Sequence, residues 1–199
     1  MRVLVACEYS GMVRDAFRKL GHDAISCDFL PTDEPGPHYQ GNVFDIIDGN
    51  WDMLIVFPPC TYLCSSGLHW NKRVEGRQEK TDMAIQFVKE LLGCRIPRIA
   101  LENPIGCISS RIRKPDQIIQ PWQFGEDASK STCLWLKNLP ILLPTRFIPP
   151  RMVNGKPRYA NQTDSGQNKL GPSDDRWKER SKTYKGIADA MASQWGLQA

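Results

Sequence analysis

Apolar and polar residues alternate along the first half of the chain in blocks that predict strands and helices in turn. Short apolar runs predict strands at 2–7, 24–27, 52–57 and 98–101. Apolar residues at helical spacing predict helices over 11–20 and 77–94, the first with Ser10 as its N-cap and Gly21 just past its end. This alternation favours an α/β fold with a mostly parallel sheet and helices on both faces.

The second half of the chain is less regular. Residues 133–136 read as a strand, residues 187–195 as a short terminal helix, and residues 144–183 as long loops. In the first half, we expect a polar loop at 31–41, a short strand or turn at 42–47, and a mobile active-site loop at 58–71. The length of 199 residues suits a single domain over 1–199.

Composition narrows the function classes. The net charge of +4 permits nucleic acid as a partner without requiring it. The seven cysteines stand at irregular spacings without a Cys-x-x-Cys pair, which argues against a disulfide framework and a metal site. The same cysteine pattern leads us to expect a reduced cytoplasm. No apolar stretch approaches membrane-spanning length, so we expect no membrane partner.

Polar groups follow two of the predicted strands. Pro58-Pro59-Cys60 comes after one apolar run and Glu102-Asn103-Pro104 after another. Because ligands bind at the carboxyl ends of strands in open α/β sheets, a thiol and a carboxyl group would meet there. That pair suits attack on an electrophilic carbon with a proton supplied nearby. The alternatives are a buried structural thiol at Cys60 and a surface or helix-capping acid at Glu102.

The first strand is followed by a tight polar turn, Cys7-Glu8-Tyr9-Ser10-Gly11, and the second strand ends at Asp28. Turn amides before a helix favour an anionic ligand, and an acid after the next strand can accept hydrogen bonds from ribose hydroxyls. No Gly-x-Gly-x-x-Gly is present in the sequence, so pyrophosphate binding is poorly supported. A tight turn beside a solvent-facing acid is the alternative.

Taken in order, these segments resemble the C5-cytosine methyltransferases, which use S-adenosylmethionine. The resemblance rests on the first turn, Asp28, Gly41-Asn42-Val43, Pro58-Pro59-Cys60, Glu102-Asn103 and the terminal segment 184–191. It extends over the whole catalytic core. Residues 124–125 and 130–137 are similar to short, phage-type members of this family.

The resemblance implies transfer of a methyl group to C5 of cytosine in DNA. Cys60 would add to C6, Glu102 would act at N3, and Asn103 would orient the loop or the base. Lys130 stands where the family has an arginine motif, and would hold a phosphate or the base carbonyl.

The resemblance also implies a set of cofactor contacts. Cys7, Glu8, Tyr9, Ser10 and Gly11 would line the methionine end. Asp28 would hold the ribose, Phe29 would stack on adenine, and Asn42 and Val43 would contact the adenine edge. Pro59 and Ile187 would complete the pocket, with Ile187 in place of the family's usual asparagine.

Residues 144–183 form a basic, loop-rich insertion, which we interpret as a minimal nucleic-acid clamp with Tyr159 and Trp177 as stacking surfaces. Its basic residues are Arg146, Arg151, Lys156, Arg158, Lys169, Arg176, Lys178, Arg180 and Lys182. A solvated loop is the alternative. Three other functions stay open: the same chemistry on a free nucleotide or RNA, transfer of a group other than methyl, and a non-catalytic nucleic-acid-binding protein.

Overall fold

The computed structural model describes residues 1–197, so the last two residues of the predicted domain, 198 and 199, lie outside the described part. The strands are β1 (Arg2–Ala6), β2 (Asp23–Asp28), β3 (His38–Gln40), β4 (Met53–Val56), β5 (Arg98–Pro104), β6 (Gln117–Ile119), β7 (Thr132–Lys137), β8 (Arg151–Val153) and β9 (Lys156–Arg158). The α-helices are α1 (Met12–Lys19), α2 (Ser65–Leu68), α3 (Arg77–Gly93), α4 (Ile108–Arg111), α5 (Arg176–Ser181) and α6 (Lys185–Gly196).

Within residues 1–197, strands β1 to β7 form one sheet in the order β3-β2-β1-β4-β5-β7-β6. Pairings from β3 through β5 are parallel, and β7 runs antiparallel to both β5 and β6. This confirms the predicted α/β fold with a mostly parallel sheet. The strand order reverses between β1 and β4, and the carboxyl ends of strands at such a reversal are where ligands bind.

Helices cover both faces of the sheet, as the sequence predicts. On one face, α1 and α6 pack on β1 through Phe17, Met191 and Trp195. On the other face, α3 packs on β4 through Ile85 and Val88. None of the helices in residues 1–197 has the length and apolarity needed to cross a bilayer.

The start of α1 differs from the prediction. Gly11 is the N-cap, with a left-handed φ of 74°, and not Ser10. The Ser10 hydroxyl still accepts a hydrogen bond from the Met12 amide at 3.3 Å, while it donates to a Glu8 carboxylate oxygen at 2.5 Å. Ser10 therefore stabilises the turn before the helix through its hydrogen bonds. Gly11 occupies the capping position because glycine adopts a positive φ at little cost.

Several segments expected as loops contain regular structure. The predicted loop 31–41 includes β3, which pairs with β2. Residues 117–119, for which no element was predicted, add β6 at the opposite edge of the sheet. Residues 58–71, expected as an active-site loop, contain short helical turns, including α2, and their mobility stays a prediction. The long loops expected at 144–183 contain the β8–β9 hairpin and α5. These elements are three to six residues long, too short to leave a periodic pattern in the sequence.

A buried arginine fixes the loop that leads to β3. Arg14 of α1 is fully buried, and its guanidinium pairs with Asp15 at 2.7 Å. It also donates to the hydroxyls of Ser26 and Thr32 and to the carbonyl of Glu34, at 3.2, 3.1 and 2.9 Å. A buried charge is tolerated only when its donors are satisfied, so these contacts tie the 31–37 loop to α1 and β2.

The turn after β5 makes close contact with the segment that follows Cys60. A Cβ added at Gly106 would lie 1.9 Å from the Leu63 carbonyl oxygen. We therefore expect Gly106→Ala to lower the free energy of unfolding by about 1–3 kcal/mol, since overpacking forces the backbone to shift. Urea unfolding measures the effect, and Gly93→Ala is the matched control because an added Cβ there meets nothing within 4 Å. Equal losses in the two variants would contradict this account.

Candidate active site

Two cavities adjoin the Pro58-Pro59-Cys60 turn within the described residues. The larger, of about 710 Å³, is lined by Cys60, and we call it the thiol cavity. The smaller, of about 350 Å³, is lined by Pro58 and Pro59, and we call it the apolar cavity. Since this turn follows β4 at the reversal of strand order, both cavities lie where ligands bind in such sheets.

The turn that carries Cys60 is fastened to the end of β5. The Asn103 side-chain amide donates to the Pro58 carbonyl at 2.7 Å, in a buried position. Farther along, the Ser65 amide donates to the Ile105 carbonyl at 3.0 Å and the Cys107 amide to the Leu63 carbonyl at 2.8 Å. These contacts fix the backbone that carries Cys60 against the strand that carries Glu102.

Glu102 lies one residue beyond Leu101, which is paired with Val56 at the end of β4. Burial is the main influence on its carboxyl group and raises its pKa, while Lys130 and the Thr132 hydroxyl act in the opposite direction. A raised pKa favours the protonated form of a carboxyl group, which is the form that can donate a proton. The position of Glu102 and the direction of its pKa shift both suit a proton donor.

Lys130 lies close enough to interact with both candidate catalytic groups. Its charge favours the ionised forms of Cys60 and Glu102. Its ammonium group donates to the Arg180 carbonyl at 2.9 Å, which links it to α5. Lys130 also lines the thiol cavity, so a ligand there can meet a positive charge beside the thiol.

Cys60 differs in exposure from most other cysteines of the chain. Cys60 is exposed at the thiol cavity, whereas Cys27, Cys107 and Cys133 are buried. A nucleophilic thiol must be reached by its substrate, and a buried thiol serves packing. The accessibility of Cys60 therefore supports its interpretation as a nucleophile.

The apolar cavity brings together six of the predicted cofactor residues. They are Cys7, Asp28, Phe29, Asn42, Val43 and Pro59. The sequence analysis did not identify Tyr62, Met83 and Phe87, which line the same cavity. Met83 belongs to the apolar pattern of α3, yet its side chain is 72% exposed beside the cavity. That exposure is visible only in the structure, so the sequence carried no signal for this residue.

The polar groups at the rim of the apolar cavity are already oriented. One Asp28 carboxylate oxygen accepts from the Leu30 amide at 3.0 Å, and burial raises the Asp28 pKa. The Asn42 side-chain oxygen accepts from the Phe44 amide at 3.1 Å, so only its second lone pair is left for a ligand. Phe29 is 73% exposed beside Asp28, and its ring face is available for stacking.

The remaining predicted cofactor residues lie elsewhere. Glu8, Tyr9, Ser10 and Gly11 are buried in the turn after β1. Ile187 is buried in the core beneath α6, and its contact with a cofactor stays a prediction.

The turn after β1 contains one orphaned polar atom. One carboxylate oxygen of Glu8 is buried and has no hydrogen-bond partner among the described residues. Burial also raises the Glu8 pKa. Nearby, the Tyr9 hydroxyl donates to the Lys178 carbonyl at 2.7 Å, so α5 covers this turn.

The basic segment 144–183 contributes to the thiol cavity through Lys169, Arg180 and Lys182. Asn161 and Gln162, which the sequence analysis did not single out, line it as well, as does Tyr184 at the start of the terminal segment 184–191. Tyr159 is only 8% exposed and stacks on Trp122, with ring centroids 5.9 Å apart, so its faces are not free for a base. Trp177 is 57% exposed and keeps an accessible ring.

The chain matches no family model and no curated protein sequence. Solved structures that are similar to it include a methyltransferase of Entamoeba histolytica, at 13% identity and a TM-score of 0.51, covering 75% of this chain and 58% of that one. A structure described as a prophage-encoded DNA modification methyltransferase of E. coli has 16% identity and a TM-score of 0.46, covering 78% and 53%. The S. pombe Dnmt2 methyltransferase has 14% identity and a TM-score of 0.46, covering 71% and 51%.

The similarity is one of fold, and the chain spans about half the length of these structures. The Entamoeba protein is the one among them with a TM-score above 0.5. A match at this identity concerns the fold alone, and the fold of this chain is the mostly parallel sheet with a reversal of strand order described above. The chain therefore has the Rossmann-like fold of a methyltransferase.

Proposed function

We propose that the protein transfers a methyl group from S-adenosylmethionine to C5 of cytosine in DNA. The observation that carries this proposal is the placement of an exposed thiol and a carboxyl group of raised pKa at the ends of neighbouring strands. Beside them lies a second, apolar cavity with an acid and an exposed aromatic ring at its rim. One site suits a base and the other a nucleoside-like cofactor.

The apolar cavity fits an adenosyl group by the chemistry of its lining. Asp28 can accept hydrogen bonds from ribose hydroxyls, and the exposed ring of Phe29 can stack on adenine. The unpartnered oxygen of Glu8 supplies a buried acceptor in the neighbouring turn for a ligand ammonium group. When bound, S-adenosylmethionine supplies an electrophilic methyl group on a sulfonium.

Three residues would activate cytosine: Cys60 and Lys130 of the thiol cavity, and Glu102 of β5, which is not among the residues that line either cavity. C5 is a poor nucleophile while the ring is aromatic. Addition of the Cys60 sulfur to C6 breaks the aromaticity and makes C5 enamine-like. Glu102 donates a proton to N3, which neutralises the charge that develops on the ring, and Lys130 adds a positive charge nearby.

The later steps return the site to its starting state. Once C5 carries the methyl group, water takes the C5 proton, the C6–sulfur bond breaks with Cys60 leaving as a thiolate, and N3 returns its proton to Glu102, which restores aromaticity. Asn103 keeps the Pro58 carbonyl in place throughout, so the sulfur stays aligned with the ring. Alignment of this kind supplies a large part of a catalytic rate.

DNA is the substrate we favour because cations of segment 144–183 border the thiol cavity. Lys169 and Arg180 can neutralise phosphates around an inserted base, and Trp177 offers a stacking surface. Part of the segment's charge is already paired, since Arg151 forms an ion pair with Asp164 at 2.6 Å, and Lys182 pairs with Asp33 at 3.3 Å and Glu179 at 3.1 Å. The clamp we propose is therefore the part that faces the cavity.

Incubation with methyl-labelled cofactor tests the function directly. DNA, RNA and cytosine nucleotides are supplied separately, and the nucleosides are then analysed by mass spectrometry. Label in 5-methylcytosine from DNA supports the proposal. Label found only in RNA or only in mononucleotide would identify that molecule as the substrate in place of DNA. No label, with DNA binding retained, would indicate a non-catalytic binding protein.

Asp28→Ala should weaken cofactor binding by roughly 10- to 150-fold. Hydrogen bonds to a charged group contribute about 1.5–3 kcal/mol, and the variant removes those made to the ribose. Isothermal titration calorimetry with S-adenosylmethionine measures the effect. Asp48→Ala is the control, because Asp48 is exposed and lies outside both cavities. Unchanged affinity in Asp28→Ala would show that the cofactor does not use this acid.

A further inference from the structure

Tyr9 stands in the turn after β1, at a position that the family resemblance assigns to the methionine end of the cofactor. Its side chain is only 5% exposed and is not among those that line the apolar cavity. The Tyr9 hydroxyl donates to the Lys178 carbonyl of α5 at 2.7 Å and lies 3.3 Å from the Ser181 hydroxyl. The Lys178 ammonium group lies over the same ring, 5.5 Å from its centroid. The side chain of Tyr9 therefore contacts α5.

Polar contacts hold α5 in place, because none of its side chains is buried. A helix of six residues is too short to persist in water without such tertiary contacts. Just after α5, Lys182 forms an ion pair with Asp33 at 3.3 Å. Asp33 is itself bound to the turn after β1, since its amide donates to the Tyr9 carbonyl at 2.9 Å. The turn after β1 and the loop after β2 thus fix α5 from one side.

On its other side, α5 contacts the lysine of the thiol cavity. The Arg180 carbonyl accepts a hydrogen bond from the Lys130 ammonium group at 2.9 Å, and both residues line this cavity. Arg180 lies two residues after Lys178, so a shift of α5 moves the carbonyls of both. The backbone of Lys130 is held separately, because its amide donates to the Gln120 side-chain oxygen at 2.9 Å. The position of the ammonium group therefore depends on α5.

We propose that Tyr9 is a positioning residue for Lys130 and acts through α5. The inference rests on the proposed function for the role of Lys130 beside the base. Tyr9 binds the Lys178 carbonyl and fixes α5, and the Arg180 carbonyl then holds the ammonium group at the wall of the thiol cavity. This contact uses one of the three N–H donors of the ammonium group, so the others can serve a ligand. A long side chain that is already held loses less conformational freedom when a base enters.

Amine labelling tests this link without substrate or cofactor. Acetic anhydride at trace level is the probe, and peptide mass spectrometry follows acetylation of Lys130, with the exposed Lys89 of α3 as internal reference. Tyr9→Phe keeps the ring and removes the hydrogen bond to the Lys178 carbonyl. Acetylation of Lys130 should become roughly 2- to 10-fold faster in this variant, the change expected for the loss of one hydrogen bond. Equal rates in the variant and the wild type would overturn the proposal.

Brief digestion with trypsin follows α5 itself. Trypsin has four cleavage sites within and just after this helix, at Arg176, Lys178, Arg180 and Lys182. Cleavage there should rise by the same factor in Tyr9→Phe, because the protease cuts the transiently opened segment. Tyr39→Phe is the matched control, since the hydroxyl it removes donates to Asp45 at 3.0 Å and not to α5. An equal rise in the control would overturn the proposal.

The acetylation of Lys130 separates positioning from a general structural role. If Tyr9 only filled space, Tyr9→Phe would lower the free energy of unfolding and leave the acetylation of Lys130 unchanged relative to Lys89. Asp33→Arg provides a second variant, because it places a like charge beside Lys182 and leaves Tyr9 and α5 unaltered. It should also accelerate the acetylation of Lys130 at least twofold or so. An unchanged rate in Asp33→Arg would count equally against the proposal.

Kinetic measurements connect the link to methyl transfer. Tyr9→Phe should lower kcat and leave the affinity for S-adenosylmethionine unchanged, because Tyr9 does not line the apolar cavity. A loss of cofactor affinity with unchanged acetylation of Lys130 would make Tyr9 a cofactor contact and overturn the proposal.

Labelling and digestion need no nucleic acid, so their results are independent of methyl transfer. Wild-type rates in Tyr9→Phe, with methyl transfer intact, would reject the role of Tyr9 and leave the proposed function standing. The expected rates in a protein that transfers no methyl group would support the link from Tyr9 to Lys130 and remove the proposed function.

Discussion

Cys60→Ser is expected to abolish methyl transfer and to leave the affinity for S-adenosylmethionine nearly unchanged. A serine hydroxyl stays protonated at neutral pH and is a far weaker nucleophile than a thiolate, so no adduct forms at C6. Cofactor affinity should persist because Cys60 faces the thiol cavity, whereas Pro58 and Pro59 face the apolar cavity. The two measurements therefore separate loss of chemistry from loss of binding.

Covalent capture makes this test sharper. DNA that contains 5-fluorocytosine blocks loss of the C5 substituent, so an enzyme that attacks C6 stays attached to the DNA. The wild type should form a denaturation-resistant complex and Cys60→Ser should not. Cys94→Ser is the control, because Cys94 is the C-cap of α3 and lines neither cavity. Its backbone carbonyl, which accepts a hydrogen bond from Lys137, is unchanged in the variant. Retained turnover in Cys60→Ser would rule out covalent catalysis by this residue.

Glu102→Gln should lower the turnover rate by about two to four orders of magnitude. Glutamine keeps the shape of the side chain and can still donate a hydrogen bond, but it has no acidic proton to give to N3. The loss should appear in kcat more than in KM, since the proton is needed as charge develops on the ring. Single-turnover kinetics with labelled cofactor measures the change, and Glu90→Gln on the exposed side of α3 is the control.

The same substitution should stabilise the folded protein at neutral pH. The folded-state pKa of Glu102 lies above the ordinary glutamate value because of burial. Between those two pKa values the folded state binds more protons than the unfolded state, so stability falls as the pH rises through this window. Glutamine removes that dependence. A melting temperature for Glu102→Gln equal to or below the wild-type value at pH 7 would contradict this assignment.

The parts of the fold that the sequence predicts well are those in which burial dictates the residue type. The run from Met53 to Val56 is completely buried in β4, and a strand buried on both faces must be apolar throughout. Cys60 and Glu102 are polar residues that follow such apolar runs, so the sequence predicts that they lie at the carboxyl ends of their strands. The order of the strands along the chain then predicts that the two residues are neighbours.

Other features depend on contacts between distant segments and leave no local pattern. Met83 belongs to the apolar spacing of α3, yet it lines a cavity because the segment after Cys60 packs beside it. Tyr159 reads as a stacking surface in a basic loop, but Trp122 already covers its ring. In both cases, a segment distant in the sequence decides how exposed the side chain is. Such contacts leave no trace in the hydrophobic periodicity of the sequence.

The buried guanidinium of Arg14 has a consequence for how this protein tolerates change. The segment from Thr32 to Glu34 is organised around an internal cation and has no apolar anchor of its own. Lysine cannot replace that planar fork, and an apolar side chain would leave the Ser26 and Thr32 hydroxyls without their donor. A substitution at Arg14 can therefore disturb the rim of the apolar cavity through Ser26, which lies two residues before Asp28 in β2, although Arg14 itself lines neither cavity.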